Sequence, residues 1–426
     1  MTSEKAEPPS NTGDAGARPR TLYLTFDGLL EPLGRSQILR YLFALSRRGL
    51  DFTVVSLERE SDLADADAVR ELEAELREHG IGWHRFPFRS GGARAVGENC
   101  RAVFRAAREV VRRDRVKLVH ARSHVPASIA WALGRLHGLP YVFDMRGYWV
   151  DERADEGRWF VNPLAYRAGK AVEKRLVKDS AAVVTLTQLQ ADDLRAGVLK
   201  GAPAKPVEVI TTCADYDEFD PARAPNGAVP AEAAARLRGR LTVGLVGSIN
   251  ASYRLRESLQ LFKYLLEERP DAHLICLTRQ LSEMKDLLAE HGIGEGAYTL
   301  ATARHQEMAG WMRHMRWALL VLNTRYSKRG SMPTKLAEFF AAGVRPIQYG
   351  CNEEVSRKVA EAGSGVVLRG VAPEDLRAAA RAVAASDARP ETIMKAREST
   401  RAHFSLRSGA EKYEALLKGL LRGAGR

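Results

Sequence analysis

Short apolar runs alternate with longer amphipathic stretches along almost the whole chain, in two successive series. A run of five or six β-forming residues cannot cover both of its own faces, and a helix-period stretch beside it supplies the cover. The first series opens with a strand at 21–26, a loop at 27–34 and a helix at 36–48 closed by Gly49. Strands at 52–57, 83–86, 118–121, 141–144, 182–187 and 207–211 follow, with helices at 67–79, 99–113, 126–136 and 165–179. The second series has strands at 241–246, 273–277, 298–301, 318–323 and 345–348, and helices at 255–268, 282–291, 305–315, 333–342 and 355–362. This pattern predicts an α/β protein with two Rossmann-like domains, residues 20–219 and 240–405. A Pro-, Ala- and Gly-rich linker at 220–239 separates them, and a closing helix at 406–426 ends the chain. Residues 1–19 read as a disordered tail. Loops at the carboxyl ends of two such sheets should face a shared cleft.

Composition limits the partners. The chain has 426 residues, room for two domains that each bury a core, and a formal charge of +12. Such a charge suits nucleic acid, an anionic membrane surface or an acidic small molecule, or is simply an arginine-rich solvated surface. Aromatic residues make up only 7% and are not interleaved with a basic stripe, so no nucleic-acid partner is expected. Cys100, Cys213, Cys276 and Cys351 are widely spaced, which argues against a zinc site or a disulfide framework. No apolar run approaches the roughly 18 residues of a membrane span, and a cytoplasmic protein is expected. The stretch Arg101–Lys117 holds six arginines, including Arg105, Arg108 and Arg112. It reads either as a solvated face or as a peripheral contact with anionic lipid at the inner face of the membrane.

The most informative segment is Ser331-Met332-Pro333-Thr334-Lys335-Leu336-Ala337-Glu338, closed by Gly343. Ser331 can act as N-cap and Pro333 fits a first helical turn. The helix then begins just after the basic loop 325–330, which includes Arg329, and its first amides form an anion site. Lys335 adds a full charge, and Glu338 lies one turn on along the same face. A pyrophosphate at the helix start and a ribose against Glu338 would fit. So would a capped helix with a surface Lys335–Glu338 pair.

This segment resembles the nucleotide-binding signature of family 4 glycosyltransferases, enzymes of the two-Rossmann-domain GT-B fold. The likeness extends to residues 22–49, 119–147, 209–221 and 244–256, and to Phe404-Ser405-Leu406 before the closing helix. It implies a retaining transfer of a sugar from a nucleotide-diphosphate donor to a hydroxyl acceptor, with no cofactor and no metal beyond that co-substrate. The family commonly has two glutamates separated by seven residues. The second matches Glu338, whereas the first falls on Gly330. Many relatives carry Arg where Ser248 stands, and the matching Lys position further along is Arg254. The resemblance thus assigns Arg254 and Lys335 to the diphosphate, with Arg256 or Arg329 compensating for Ser248. Gly247, Ser248, Thr302, Met332, Pro333, Thr334 and Glu338 complete the donor side.

Three loops should supply the acceptor side: Gly34, Arg35, Ser36 and Gln37 after the first strand, His120, Arg122 and His124, and Asp144, Arg146 and Trp149. His120 and Arg146 stand nearest to a catalytic role, although His120 also reads as a strand-end histidine bonded to backbone. The acceptor class is open among a lipid-linked glycan, a polysaccharide precursor and a secondary metabolite. Asp65-Ala66-Asp67 and Asp215-Tyr216-Asp217 match a metal-binding Asp-x-Asp pattern, but neither follows a strand at the required place. A sugar-nucleotide epimerase on the same fold and a non-catalytic nucleotide-sugar-binding subunit are the competing readings.

Overall fold

The computed structural model describes residues 19–157, 161–223, 229–386 and 389–423. The expected tail lies outside the described residues except for Pro19, as do residues 224–228 of the expected linker.

The first series forms a seven-stranded parallel sheet: β1 (Arg20–Leu24), β2 (Asp51–Glu58), β3 (Gly82–Pro87), β4 (Val116–Arg122), β5 (Tyr141–Asp144), β6 (Ala182–Thr185) and β7 (Val207–Val209). Its order is β3-β2-β1-β4-β5-β6-β7. The second forms a six-stranded sheet of β8 (Leu241–Val246), β9 (Ala272–Leu277), β10 (Tyr298–Ala301), β11 (Trp317–Val321), β12 (Arg345–Tyr349) and β13 (Val366–Val367), in the order β10-β9-β8-β11-β12-β13. In each sheet the strand order reverses once, between β1 and β4 and between β8 and β11. The crevice of a doubly wound sheet opens at such a switch point.

The central strands are buried on both faces, which explains their continuous apolar runs, whereas the edge strands β3, β7 and β13 are only partly buried. On one face of the first sheet, Val103, Val110, Leu133, Leu176 and Val177 from three helices form a core with Val119 and Phe143. On the other, Leu42, Leu72 and Leu76 pack with Tyr413 and Leu417 of the closing helix Leu406–Gly423. The chain thus returns to the first domain at its end. The Tyr413 hydroxyl donates to Asp144 at 3.0 Å, and Ala214 pairs with Ser405.

Several helices differ from expectation. Trp149–Asp155, Gln188–Ala196, Ala231–Leu237, Pro373–Ala385 and Pro390–Phe404 are helical, and the helix expected at 99–113 begins at Ala93. Ala231–Leu237 falls within the expected linker. Asp65 caps helix Ala66–Glu78 by accepting from the Ala68 amide, and Asp215 accepts from the Asp217 amide in a turn. Both are local backbone roles. Among the described residues no helix is long and apolar enough to cross a membrane, and all four cysteines are free.

Candidate active site

Helix Thr334–Ala342 begins at the carboxyl side of β11. Pro333 is its N-cap, with φ −64° and ψ 126°, and no side chain caps it. The expected cap, Ser331, instead lies 3.5 Å from Glu152. Proline is a natural boundary, since it has no amide hydrogen to leave unpaired. Gly343 closes the helix at φ 70°, where a side chain would be strained.

Within this helix Lys335 Nζ donates to Glu338 Oε2 at 2.9 Å, and Glu338 is only 2% exposed. Burial pulls the Lys335 ammonium down, but the adjacent Glu338 carboxylate more than offsets it and holds the ammonium above its ordinary value. The pair is therefore ionic and sheltered, unlike a surface i,i+3 pair. Tyr253 lies close by. Its hydroxyl would stand 3.6 Å from a Cβ at Gly247, a residue with φ 135°, and its acidity is altered by burial and by both charges of the pair. Glu338 also lines a small cavity with Ser36, Arg40, Glu218 and His305. The first helical stretch of one domain, which holds Ser36 and Arg40, and the nucleotide-side helix of the other meet there. Burial pushes the His305 imidazole down to about 4, so it is neutral at pH 7.

The remaining donor-side candidates are dispersed. Arg254 precedes helix Leu255–Glu268, is about one-third exposed and pairs with Glu257. Arg256 points away to Glu290. Ser248 is exposed, and Thr302 Oγ1 donates to the Thr278 carbonyl at 3.0 Å. Met332 is core. Arg329 forms two contacts of 3.2 Å to Asp193 of the other domain, and its carbonyl accepts from Thr187 Oγ1 at 3.0 Å. Lys328 reaches Glu152 at 3.3 Å, and Tyr326 stacks on Tyr148 at 5.6 Å. The basic loop is thus the seam between the domains. Gly330 is buried in that seam, where a Cβ would meet the Gln190 side chain at 2.8 Å. Here the chain leaves no room for the family's first glutamate.

On the acceptor side, several of the expected residues gather around buried Asp144. Arg146 lies 3.5 Å away, His120 3.6 Å and Arg122 3.9 Å. Burial pushes the Asp144 carboxyl up, yet Arg146, His120 and Arg122 together outweigh it and hold it well below the carboxylate range. The cluster fastens the end of β5 to the closing helix through Tyr413. Gln37 is also buried, donating to the Cys213 carbonyl at 2.9 Å and accepting from its amide at 3.3 Å. Arg35 pairs with Glu75 at 2.8 Å, and Gly34 packs directly on the Gly28 carbonyl. His124 bonds Glu173 at 2.9 Å.

A hollow of about 560 Å³ opens at the switch point between β1 and β4. Asp27, Arg122, Ser123 and Trp149 are among its walls. Arg122 Nε donates to Asp27 at 2.8 Å, leaving the Asp27 side chain 41% exposed. Ser123 has φ 71°, strained for a residue with a Cβ. Asp27 and Ser123 were not singled out from the sequence, although each lies within three residues of a strand's carboxyl end at the switch point, which is the signal that could have found them.

Residues 35–213 match the family model described as glycosyl transferase 4-like domain. No curated protein matches the chain in sequence. Among solved structures, a sucrose-phosphate synthase from Thermosynechococcus elongatus superposes with a TM-score of 0.67 at 14% identity, covering 95% of this chain and 100% of its own. Anabaena HepE, solved in complex with UDP and glucose, gives 0.62 at 12% identity, with 94% and 100% covered. A structure titled as a putative UDP-N-acetylglucosamine 2-epimerase from Listeria monocytogenes gives 0.64 at 11% identity, with 96% and 98% covered. Residues 35–213 thus resemble a glycosyl transferase 4-like domain, and over nearly its full length the chain has the GT-B fold.

Proposed function

We propose that this glycosyltransferase moves a sugar from a nucleoside-diphosphate donor to a hydroxyl acceptor with retention of configuration. The observation that carries the reading is the sheltered Lys335–Glu338 pair at the start of a helix facing the other domain. The donor's diphosphate binds at the helix start, where the first amides have no acceptor one turn back and Lys335 supplies a cation. Glu338, beside Lys335, accepts hydrogen bonds from the ribose hydroxyls. The presence of UDP and glucose on the same fold in HepE supports a nucleotide-sugar donor.

Breaking the bond to the anomeric carbon places charge on the diphosphate. Lys335 and the helix amides stabilise it where it develops, and Arg254 joins them by releasing Glu257. The acceptor lies in the hollow at the β1–β4 switch point. Asp27, held by Arg122, takes a hydrogen bond from an acceptor hydroxyl, and Ser123 offers a second polar contact. The departing phosphate oxygen takes the acceptor proton, so retention needs no protein base.

Arg254 and Lys335 supply positive charge where a divalent ion would otherwise sit, so turnover should persist in excess chelator. Incubation with nucleotide sugars and simple glycosides, followed by NMR of the anomeric proton, checks both points. A product with the donor's anomeric configuration and a rate unchanged by chelator are expected. An inverted product, or turnover lost to chelator and restored by magnesium, contradicts the mechanism. A changed sugar epimer formed without acceptor would favour the epimerase reading.

A further inference from the structure

The helix layer on one face of the first sheet carries a surface that the transfer chemistry does not use. It consists of helices Ala93–Arg113, His124–His137 and Pro163–Asp179, packed side by side over β1, β4 and β5. Leu164 is 73% exposed and Val172 51%, and Ala168, also exposed, lies between them at helical spacing. Val161, just before this helix, and Leu136, at the end of its neighbour, are exposed as well. Leu164 and Val172, two turns apart on one helix face with small Ala168 between them, and the nearby Val161 and Leu136 together leave aliphatic surface in water, which marks a contact surface.

The charge around this stripe is mostly positive. Among exposed residues of the three helices there are ten basic ones, five on the first, one on the second and four on the third. Against them stand only two exposed acidic ones, Glu109 and Asp179. Arg101, Arg105 and Arg112 lie on the outer side of the first helix, whereas the Arg108 guanidinium turns inward with Nε buried. The stripe on Pro163–Asp179 is bordered by exposed Arg167, Lys174, Arg175 and Lys178.

From these we infer that this layer docks on an anionic lipid bilayer, the Leu164–Val172 stripe entering the interface and the basic residues resting on the headgroups. Apolar burial and attraction to negative lipid then act together, as an interfacial helix requires. An acidic protein would match the charge but gives no reason for the aliphatic stripe, and a second copy of a chain carrying +12 would be repelled.

The position of the stripe gives the docking a use. Helices His124–His137 and Pro163–Asp179 run in the same direction, bonded from His124 to Glu173 and from Trp131 to Asp179. Residues 161–172 therefore project past the start of the neighbouring helix, at the carboxyl end of the strands. Tyr166 and Lys170 hold Asp151 at 2.7 and 2.8 Å, two residues from Trp149 on the wall of the 560 Å³ hollow. A docked bilayer would lie beside that hollow. The docking itself does not depend on the cleft transferring sugar.

Sedimentation of the full chain with phosphatidylcholine vesicles, and with equal parts phosphatidylcholine and phosphatidylglycerol, tests the inference. The wild type should pellet only with the phosphatidylglycerol vesicles, and less as salt rises. Leu164→Asp with Val172→Asp should lower that partition at least about tenfold, with an unchanged circular dichroism spectrum because both side chains are exposed. Arg105→Glu with Lys178→Glu should weaken it too. Equal recovery with both vesicle types, or full binding by the Leu164→Asp/Val172→Asp variant, would overturn the inference. So would a dimer in light scattering that this variant dissolves, since it would assign the stripe to a second copy.

Discussion

Lys335→Ala should lose between about 10-fold and about 100-fold in donor turnover, the loss of a charge-assisted contact to phosphate. It should also destabilise the protein by up to about 3 kcal/mol, because it strands the buried Glu338 carboxylate that Lys335 holds at 2.9 Å. The two effects separate in the double variant. Lys335→Ala with Glu338→Gln removes the stranded charge, so the urea midpoint should recover towards the wild type while turnover does not. Recovery of turnover along with stability would mean that Lys335 acts only as structure.

Gly330→Glu, which restores the family's first glutamate, should impair the protein. A Cβ there already meets Gln190 Nε2 at 2.8 Å, and Gln190 is fully buried in the seam. A whole glutamate must push that side chain aside in a packed region, at a cost of about 1–3 kcal/mol. The domains should separate more easily and turnover should fall with them. Gln190→Ala in the same chain makes room and should return much of the stability. Thermal unfolding of the single and double variants distinguishes the outcomes. A Gly330→Glu protein as stable and active as the wild type would show that the seam yields at no cost.

Why was the glutamate missing at this position not understood from the sequence? Its cause is a contact between residues 140 positions apart in the chain, Gln190 and Gly330, on helices and loops of different domains. Local pattern carries no trace of such a meeting. The same holds for Asp144, whose partner Tyr413 is 269 residues away. From the sequence, Asp144, Arg146, His120 and Arg122 read as cleft residues because they end strands. In the structure the closing helix returns to that point and Tyr413 bonds Asp144 there, while Arg122 also lines the hollow. By contrast, the central strands were legible because each is an apolar run buried on both faces, whereas the two-residue edge strand Val366–Val367 left no such run. The helices that the sequence pattern does not announce, such as Gln188–Ala196 and Pro373–Ala385, have weakly patterned or alanine-rich sequences whose apolar stripe is narrow. The start of the nucleotide-side helix was readable to within one residue from Pro333, and the Lys335–Glu338 pairing followed from i,i+3 spacing. Its depth of burial did not, since the small cavity at Glu338 is walled by residues distant in sequence, among them Ser36, Arg40 and Glu218.

Calorimetric titration with nucleoside diphosphates tests the placement of the donor most directly, because it needs neither an acceptor nor turnover. The wild type should bind one nucleoside diphosphate per chain without added metal. Lys335→Ala should weaken binding by about tenfold or more, and Glu338→Ala should weaken it in parallel through the lost ribose contact. Wild-type affinity in both variants, with turnover lost, would place the nucleotide elsewhere and contradict the assignment of helix Thr334–Ala342 as the donor site.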